Sequence, residues 1–166
     1  AGMKTRMGQD WRPNKGLSTE LLLKLLENTE SRIEGAPSVR ELDRWITFHA
    51  YSVLAYTLSL RGGEAFFLDL AGLNQHWDEE RPHLIVTLQG KVKGESQERN
   101  HLLPCVHVTS SGIHVKVSVQ RLITWKKKKG FTDGPAICDL QGRVLGGRDI
   151  DGCLHEVLLD LFESHR

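Results

Sequence analysis

Apolar residues recur every three to four positions in four stretches of this chain, and this spacing predicts four helices. Ser18 precedes the first stretch and Ser38 precedes the second, each as a candidate N-cap, and Gly35-Ala36-Pro37 separates the two stretches. The second stretch is apolar nearly all round from Thr47 to Leu60, so we expect that helix to lie inside the core. The four predicted helices cover residues 17–34, 39–60, 113–129 and 149–165.

Between the second and third helices the pattern changes from helical to β-rich. A short helical or turn segment over 65–70 is followed by a β-rich run over 83–88, and a second apolar run covers 99–108. The polar residues 89–97 between the two runs include lysines and two glycines, so two strands with a lysine-bearing connection explain this order most simply. The whole pattern predicts a mainly helical α+β fold, with a helical N-terminal half, a small antiparallel β-hairpin or three-stranded sheet, and two further helices.

Residues 1–16 differ from the rest of the chain, because they carry four basic side chains against one acidic side chain and show little apolar periodicity. Ala1-Gly2-Met3 looks like a cloning remnant before a start methionine. We therefore expect a basic, flexible arm or tag remnant over 1–16 and a single domain over 17–166.

Composition narrows the classes of function. The chain has 22 Lys+Arg against 21 Asp+Glu, a net charge of +1, which argues against an all-over basic nucleic-acid binder but allows a local basic face. No apolar run approaches the ~18 residues of a spanning helix, so we expect no membrane partner. Cys105, Cys138 and Cys153 form no C-x-x-C pair, which predicts neither a disulfide framework nor a cysteine zinc site and indicates a reducing, intracellular compartment. We expect neither a metal nor a cofactor.

The most informative feature is the order of residues from the end of the second helix through the hairpin. Ser59 to Leu68 reads SLRGGEAFFL, Val86 to Lys93 reads VTLQGKVK, and Arg99 to Pro104 reads RNHLLP. This order resembles the first half of the catalytic domain of tyrosine recombinases, the phage-integrase-like DNA breaking-and-rejoining enzymes. It resembles in particular the crypton-like group of eukaryotic mobile elements. The resemblance covers residues 17–166 and implies an incomplete integrase-like catalytic core.

The resemblance also implies roles for individual residues. Arg61 would hold the scissile phosphate bidentately and stabilise its transition-state charge, with Glu64 as its orienting neighbour. Lys91 would be the general acid that protonates the leaving 5′-hydroxyl, and Lys93 is the alternative because the loop is longer here. Lys93 and Arg99 are further candidate contacts to DNA phosphates.

The chain departs from the family pattern at the nucleophile. Its only tyrosines, Tyr51 and Tyr56, precede Arg61, and no H-x-x-R occurs. Without a tyrosine at the family's position the covalent phosphotyrosyl step cannot occur. The sequence therefore predicts a truncated or degenerate recombinase domain, concerned with DNA recombination or integration, that binds DNA weakly and salt-dependently and does not cleave it alone. In a eukaryote we expect it in the nucleus.

Other interpretations stay open. The chain could be a non-catalytic DNA-binding or protein-interaction module that retains only the fold, or a helical interaction domain whose resemblance is coincidental. Arg61 could be a structural arginine paired with Glu64 or Asp69. The run from Lys126 to Lys129 is more simply a solvated helix C-terminus than a nucleic-acid or nuclear-import signal. A homo-oligomer is also left open.

Overall fold

The computed structural model of this protein describes residues 17–61, 63–75, 83–90 and 99–163. The mainly helical α+β class is confirmed, with two helices after a small antiparallel hairpin. No helix in the described ranges is long and apolar enough to span a membrane. The elements are α1 (Thr19–Glu34), α2 (Val39–Thr57), a 3₁₀ helix (Glu64–Phe67), α3 (Leu70–Gln75), β1 (His83–Gly90), β2 (Arg99–Val106), α4 (Val115–Lys128) and α5 (Gly147–Glu163).

Serine caps begin the two N-terminal helices, as the sequence predicted. Ser18 Oγ accepts a hydrogen bond from the backbone N–H of Leu21, and Ser38 Oγ accepts one from Glu41. Each cap satisfies a backbone donor that the first turn of a helix leaves unpaired. The end of α2 lies three residues earlier than predicted, because the chain turns at Ser59, which adopts a positive φ of 53°.

Helix α2 is the centre of the fold, since it packs against α1, α4, α5 and the 3₁₀ helix. The predicted location of its second half inside the core is confirmed by two buried runs, Trp45 to Ala50 and Ser52 to Ala55, although Tyr56 and Thr57 at its end are only half-buried. Because neighbouring elements cover most of its surface, polar side chains such as Asp43 and His49 are buried as well. Buried polar groups need hydrogen-bond partners, and α4 supplies them.

The two strands form the predicted antiparallel pair, with a register that runs from His83 opposite Val106 to Gly90 opposite Arg99. This register leaves residues 91–98 as the connection. Strand β1 packs against the 3₁₀ helix and α3. The hairpin is thereby attached to the segment that immediately follows α2. Among the described residues the sheet has these two strands and no third.

Candidate functional site

Arg61 lies just after the central helix, in a turn that local hydrogen bonds hold in place. The Leu60 N–H donates to Ala55 O at 2.9 Å, and the Glu64 N–H donates to Arg61 O at 2.7 Å. The Glu64 carboxylate in turn accepts a hydrogen bond from the backbone N–H of Arg61. Glu64 therefore positions the Arg61 backbone, whereas the Arg61 side chain is exposed.

The alternative that Arg61 is a structural arginine finds no support among the described residues. Among these residues, no ion pair joins the Arg61 guanidinium to Glu64 or Asp69. The Glu64 carboxylate accepts the Arg61 backbone N–H instead, and the Asp69 carboxylate accepts the Ala71 N–H at 2.8 Å. An exposed guanidinium with donors in a planar fork suits a phosphate, which accepts two of them at once.

The other predicted site residues belong to the hairpin. Lys91 and Lys93 lie outside the described residues. Arg99 begins β2 opposite Gly90, at the end of the hairpin where the connection starts. Because β1 packs against the 3₁₀ helix, the strand that leads to Lys91 adjoins the segment that follows Arg61. The fold thus brings together the two elements of the predicted site.

The two tyrosines are held in contacts within the fold. The Tyr51 ring stacks on Phe66 with centroids 5.8 Å apart, and burial together with the charge of Asp151 raises the pKa of its phenol. The Tyr56 hydroxyl shares a hydrogen bond with Thr19 Oγ1. A nucleophilic tyrosine must lose its proton, so the surroundings of Tyr51 oppose that role. Both side chains join α2 to neighbouring elements.

The prediction that the lysine run is solvated is wrong for Lys126. This side chain is 1% exposed, and its Nζ donates to Asp43 Oδ1 at 2.9 Å and to the Cys138 carbonyl at 2.8 Å. Asp43 Oδ1 also accepts a hydrogen bond from Trp125 Nε1 at 2.7 Å. We call these four residues the Asp43 cluster. Lys126 is inside because the last turn of α4 packs on α2, whereas Lys127 is exposed as predicted.

A second polar group, the His49 cluster, joins α1, α2 and α4 through Glu30, His49, Ser118 and Arg121. His49 Nδ1 lies 2.7 Å from Ser118 Oγ, and His49 Nε2 lies 3.2 Å from Glu30 Oε1. Arg121 donates to Glu30 Oε2 at 2.9 Å. Burial, assisted by the charge of Arg121, lowers the pKa of His49 from 6.5 to about 4, against the opposing effect of Glu30.

Serine, histidine and glutamate in series suggest a nucleophile and its base, but the surroundings do not suit that chemistry. Ser118 is 2% exposed and lies within α4, where its backbone N–H donates to the His114 carbonyl and cannot stabilise an oxyanion. A histidine whose pKa is about 4 is also a poor base at neutral pH. The His49 cluster therefore helps to hold the packed helices together. In the sequence, the only indication of this cluster is His49, a polar residue in an apolar stripe.

The cysteines are buried and unreactive. Burial raises the pKa of Cys105 to about 12, and it raises the pKa of Cys153 to about 11. A thiol that stays protonated is neither a nucleophile nor a metal ligand. In the part of the chain that the structure describes, no group of three or more histidine, cysteine, aspartate or glutamate side chains could hold a metal ion.

Comparison of the chain with protein-family models, with curated proteins and with solved structures finds no match. The recombinase-like order of residues therefore remains a proposal, and it rests on the residues and elements described above.

Proposed function

We propose that this chain is a truncated or degenerate tyrosine-recombinase catalytic domain, concerned with DNA recombination or integration, that contacts the DNA phosphate backbone. The exposed Arg61 guanidinium carries this proposal. It stands in a hydrogen-bonded turn at the end of the central helix, beside the element against which β1 packs. Phosphate recognition needs such a solvent-facing donor group, and the turn fixes the backbone that carries it.

Arg61 and Lys91 would have different chemical roles in this site. Arg61 binds the phosphate without first breaking an ion pair to a described carboxylate. Lys91, the residue that follows β1 in the sequence, would protonate the leaving oxygen. No tyrosine follows Arg61 in the 166 residues, and Tyr51 and Tyr56 are engaged in packing contacts. These residues alone therefore bind DNA and do not cleave it.

A non-catalytic DNA-binding or protein-interaction module with the same fold is the second candidate. The contacts of Tyr51 and Tyr56 favour it, since the Tyr51 ring packs on Phe66 and the Tyr56 hydroxyl shares a hydrogen bond with Thr19. The two candidates differ in what Arg61 recognises. A recombinase-derived site prefers a nicked or half-site phosphate, whereas a general DNA-binding face contacts any backbone phosphate.

A fluorescence titration of nicked duplex DNA, repeated at several salt concentrations, tests the proposal. Arg61→Ala should weaken binding about tenfold or more, because a charge-assisted hydrogen bond is lost. Arg61→Lys should recover part of the affinity, because it keeps the charge without the fork. Lys91→Ala should also weaken binding. Lys24→Ala removes another exposed positive charge, which lies on α1 at 3.8 Å from Glu20 Oε1, and should change little.

Three outcomes would count against these assignments. Absence of binding at low salt, or binding without a salt slope, contradicts a DNA role of either kind. Equal losses for Arg61→Ala and Lys24→Ala contradict a specific site at Arg61. Equal affinity for nicked and intact duplex favours the second candidate over the recombinase-derived domain.

A further inference from the structure

A cleft of about 800 Å³ opens where the first turns of α2 and α5 meet the turn over residues 139–145. Arg61 follows the other end of α2, and a helix of 19 residues is about 28 Å long, so this cleft is a separate site. Apolar side chains including Phe48 and Ile150 line part of it. Its charged lining contains four arginines, which are Arg40, Arg44, Arg143 and Arg148.

The positions of Arg40 and Arg148 are unfavourable for the helices that carry them. Each lies in the first turn of its helix, α2 and α5 respectively, where the helix dipole favours acidic residues over basic ones. An anion bound between the two helix ends would make these positions favourable, because both the helix dipoles and the guanidiniums attract the anion. Both arginines are exposed, so nothing in the packing of the core requires them.

Two carboxylates that line the cleft, those of Asp139 and Asp149, are already engaged, whereas these two arginines are not. Asp139 accepts bonds from the backbone N–H and the Nε of Arg143, at 3.0 and 3.3 Å. Asp149 accepts the Gly146 N–H at 2.9 Å. Among the described residues no carboxylate forms an ion pair with Arg40 or Arg148, so their charges are available to a ligand.

Arg44 has a different role from these two. It is paired with Glu156 and lies 3.7 Å from Glu41. Burial opposes its charged form, but the hydrogen bond to Glu156 and the neighbouring negative charges outweigh burial and raise the pKa of Arg44. Its guanidinium also lies 4.7 Å from the centre of the Trp45 ring. These contacts hold Arg44 in the wall of the cleft.

Asp43 supplies the cleft with an acceptor. Its Oδ1 accepts the bonds from Trp125 and Lys126, and its Oδ2 has no partner among the described residues. The residue is 5% exposed and lines the cleft. A ligand hydroxyl could therefore donate to Oδ2 while an anionic group on the same ligand contacts the arginines.

We propose that this cleft binds a small phosphorylated sugar, with Arg40 and Arg148 holding the phosphate and Asp43 Oδ2 accepting a sugar hydroxyl. The volume lies within the roughly 300–1,000 Å³ typical of small-molecule sites. Arginine recognises any phosphate ester, so a nucleic-acid backbone is the other source of the same chemistry. The inference does not depend on the DNA role of Arg61.

Calorimetry on the full chain tests the proposal with ribose 5-phosphate, ribose, inorganic phosphate and a short DNA duplex as separate probes. Ribose 5-phosphate should bind more tightly than inorganic phosphate, and ribose should not bind. Arg40→Ala and Arg148→Ala should each weaken ribose 5-phosphate about tenfold, and the double variant should abolish binding. Lys24→Ala and Arg61→Ala are the controls and should leave this affinity unchanged. Thermal melts confirm that the variants fold.

Several results would overturn the assignment. Failure of ribose 5-phosphate to bind at about 10 mM would contradict the proposal, and so would equal binding to the Arg40→Ala/Arg148→Ala variant. Equal affinities for ribose 5-phosphate and inorganic phosphate would show that the cleft recognises the phosphate and not the sugar. Duplex binding that needs Arg40 and Arg148, without ribose 5-phosphate binding, would assign the cleft to nucleic acid. Loss of ribose 5-phosphate binding in Arg61→Ala would contradict two separate sites.

Discussion

The Asp43 cluster and the His49 cluster both tie α2 to α4, but they differ in their access to water. The Lys126 and Asp43 side chains are 1% and 7% exposed, whereas the Glu30 and Arg121 side chains of the second cluster are 42% and 25% exposed. Water can replace a lost partner of Glu30 or Arg121, whereas it cannot reach the buried Lys126. Burial, rather than the number of hydrogen bonds, should therefore decide how much each cluster contributes to stability.

The largest expected effect comes from breaking the buried ion pair. Lys126→Ala should lower the free energy of unfolding by about 3–5 kcal/mol, because the Asp43 carboxylate would remain buried without its counter-charge. Urea denaturation at pH 7 measures this. Lys127→Ala, one residue further on and exposed, is the matched control and should change stability by less than about 0.5 kcal/mol. Similar values for the two variants would contradict the burial of Lys126.

The double variant Asp43→Leu/Lys126→Met sharpens this result. Removing both charges leaves no unpaired ion, so most of the stability lost in Lys126→Ala should return. A double variant as unstable as the single one would mean that the hydrogen bonds to Trp125 and Cys138, rather than the charges, hold the cluster together.

In the His49 cluster the expected effect depends on pH. Above pH 6.5 His49 is neutral in both the folded and the unfolded chain, while between pH 6.5 and about 4 only the unfolded chain takes up the proton. Stability should therefore fall as the pH drops through this window, by about 3 kcal/mol, since one pKa unit corresponds to about 1.4 kcal/mol. Denaturation curves between pH 7 and 4 measure it.

Two variants isolate the histidine from other titrating groups. His49→Gln should remove most of this pH dependence, whereas His155→Gln, at an exposed position of α5, should keep it. The hydrogen bond from Arg121 lowers the pKa of Glu30. Protonation of Glu30 therefore adds to the loss of stability only at the acidic end of this pH window. An unchanged slope in His49→Gln would contradict the buried, neutral histidine.

Ser118→Ala should have a smaller effect at neutral pH. It removes the hydroxyl 2.7 Å from His49 Nδ1 and leaves that buried nitrogen without a partner, which costs about 1–2 kcal/mol. Thermal denaturation is sufficient to detect the change. Ser110→Ala, in the exposed turn before α4, should be neutral; equal shifts in the two variants would show that the Ser118 contact contributes nothing.

The smallest change in stability is expected for Arg121→Ala, at most about 1 kcal/mol at pH 7, because its pair with Glu30 is partly solvated. Its effect on pH dependence is more informative. The charge of Arg121 helps to lower the pKa of His49, so its removal should raise that pKa and reduce the loss of stability between pH 6.5 and 4. Arg121→Lys keeps the charge and should keep the steeper profile.

The helices and the hairpin were predictable because their signals are local. Ser18 and Ser38 are followed by helix-forming residues, and each side chain caps a backbone group three positions away. The β-rich runs on either side of a glycine-containing connection gave the correct antiparallel pair. The sequence also identified Arg61 and Glu64 as neighbours, but only the structure showed that Glu64 contacts the Arg61 backbone.

The sequence by itself determined the class of fold, the order of its elements and the position of Arg61 after the central helix, because periodicity, caps and turn residues act over a few positions. Only the tertiary structure decided that Lys126 is buried, that His49 meets Ser118, and that two arginine-bearing helix ends share one cleft. Asp43 and Lys126 are 83 positions apart along the chain, and His49 and Ser118 are 69 apart. No local pattern encodes such a contact, since it depends on which helix faces pack together.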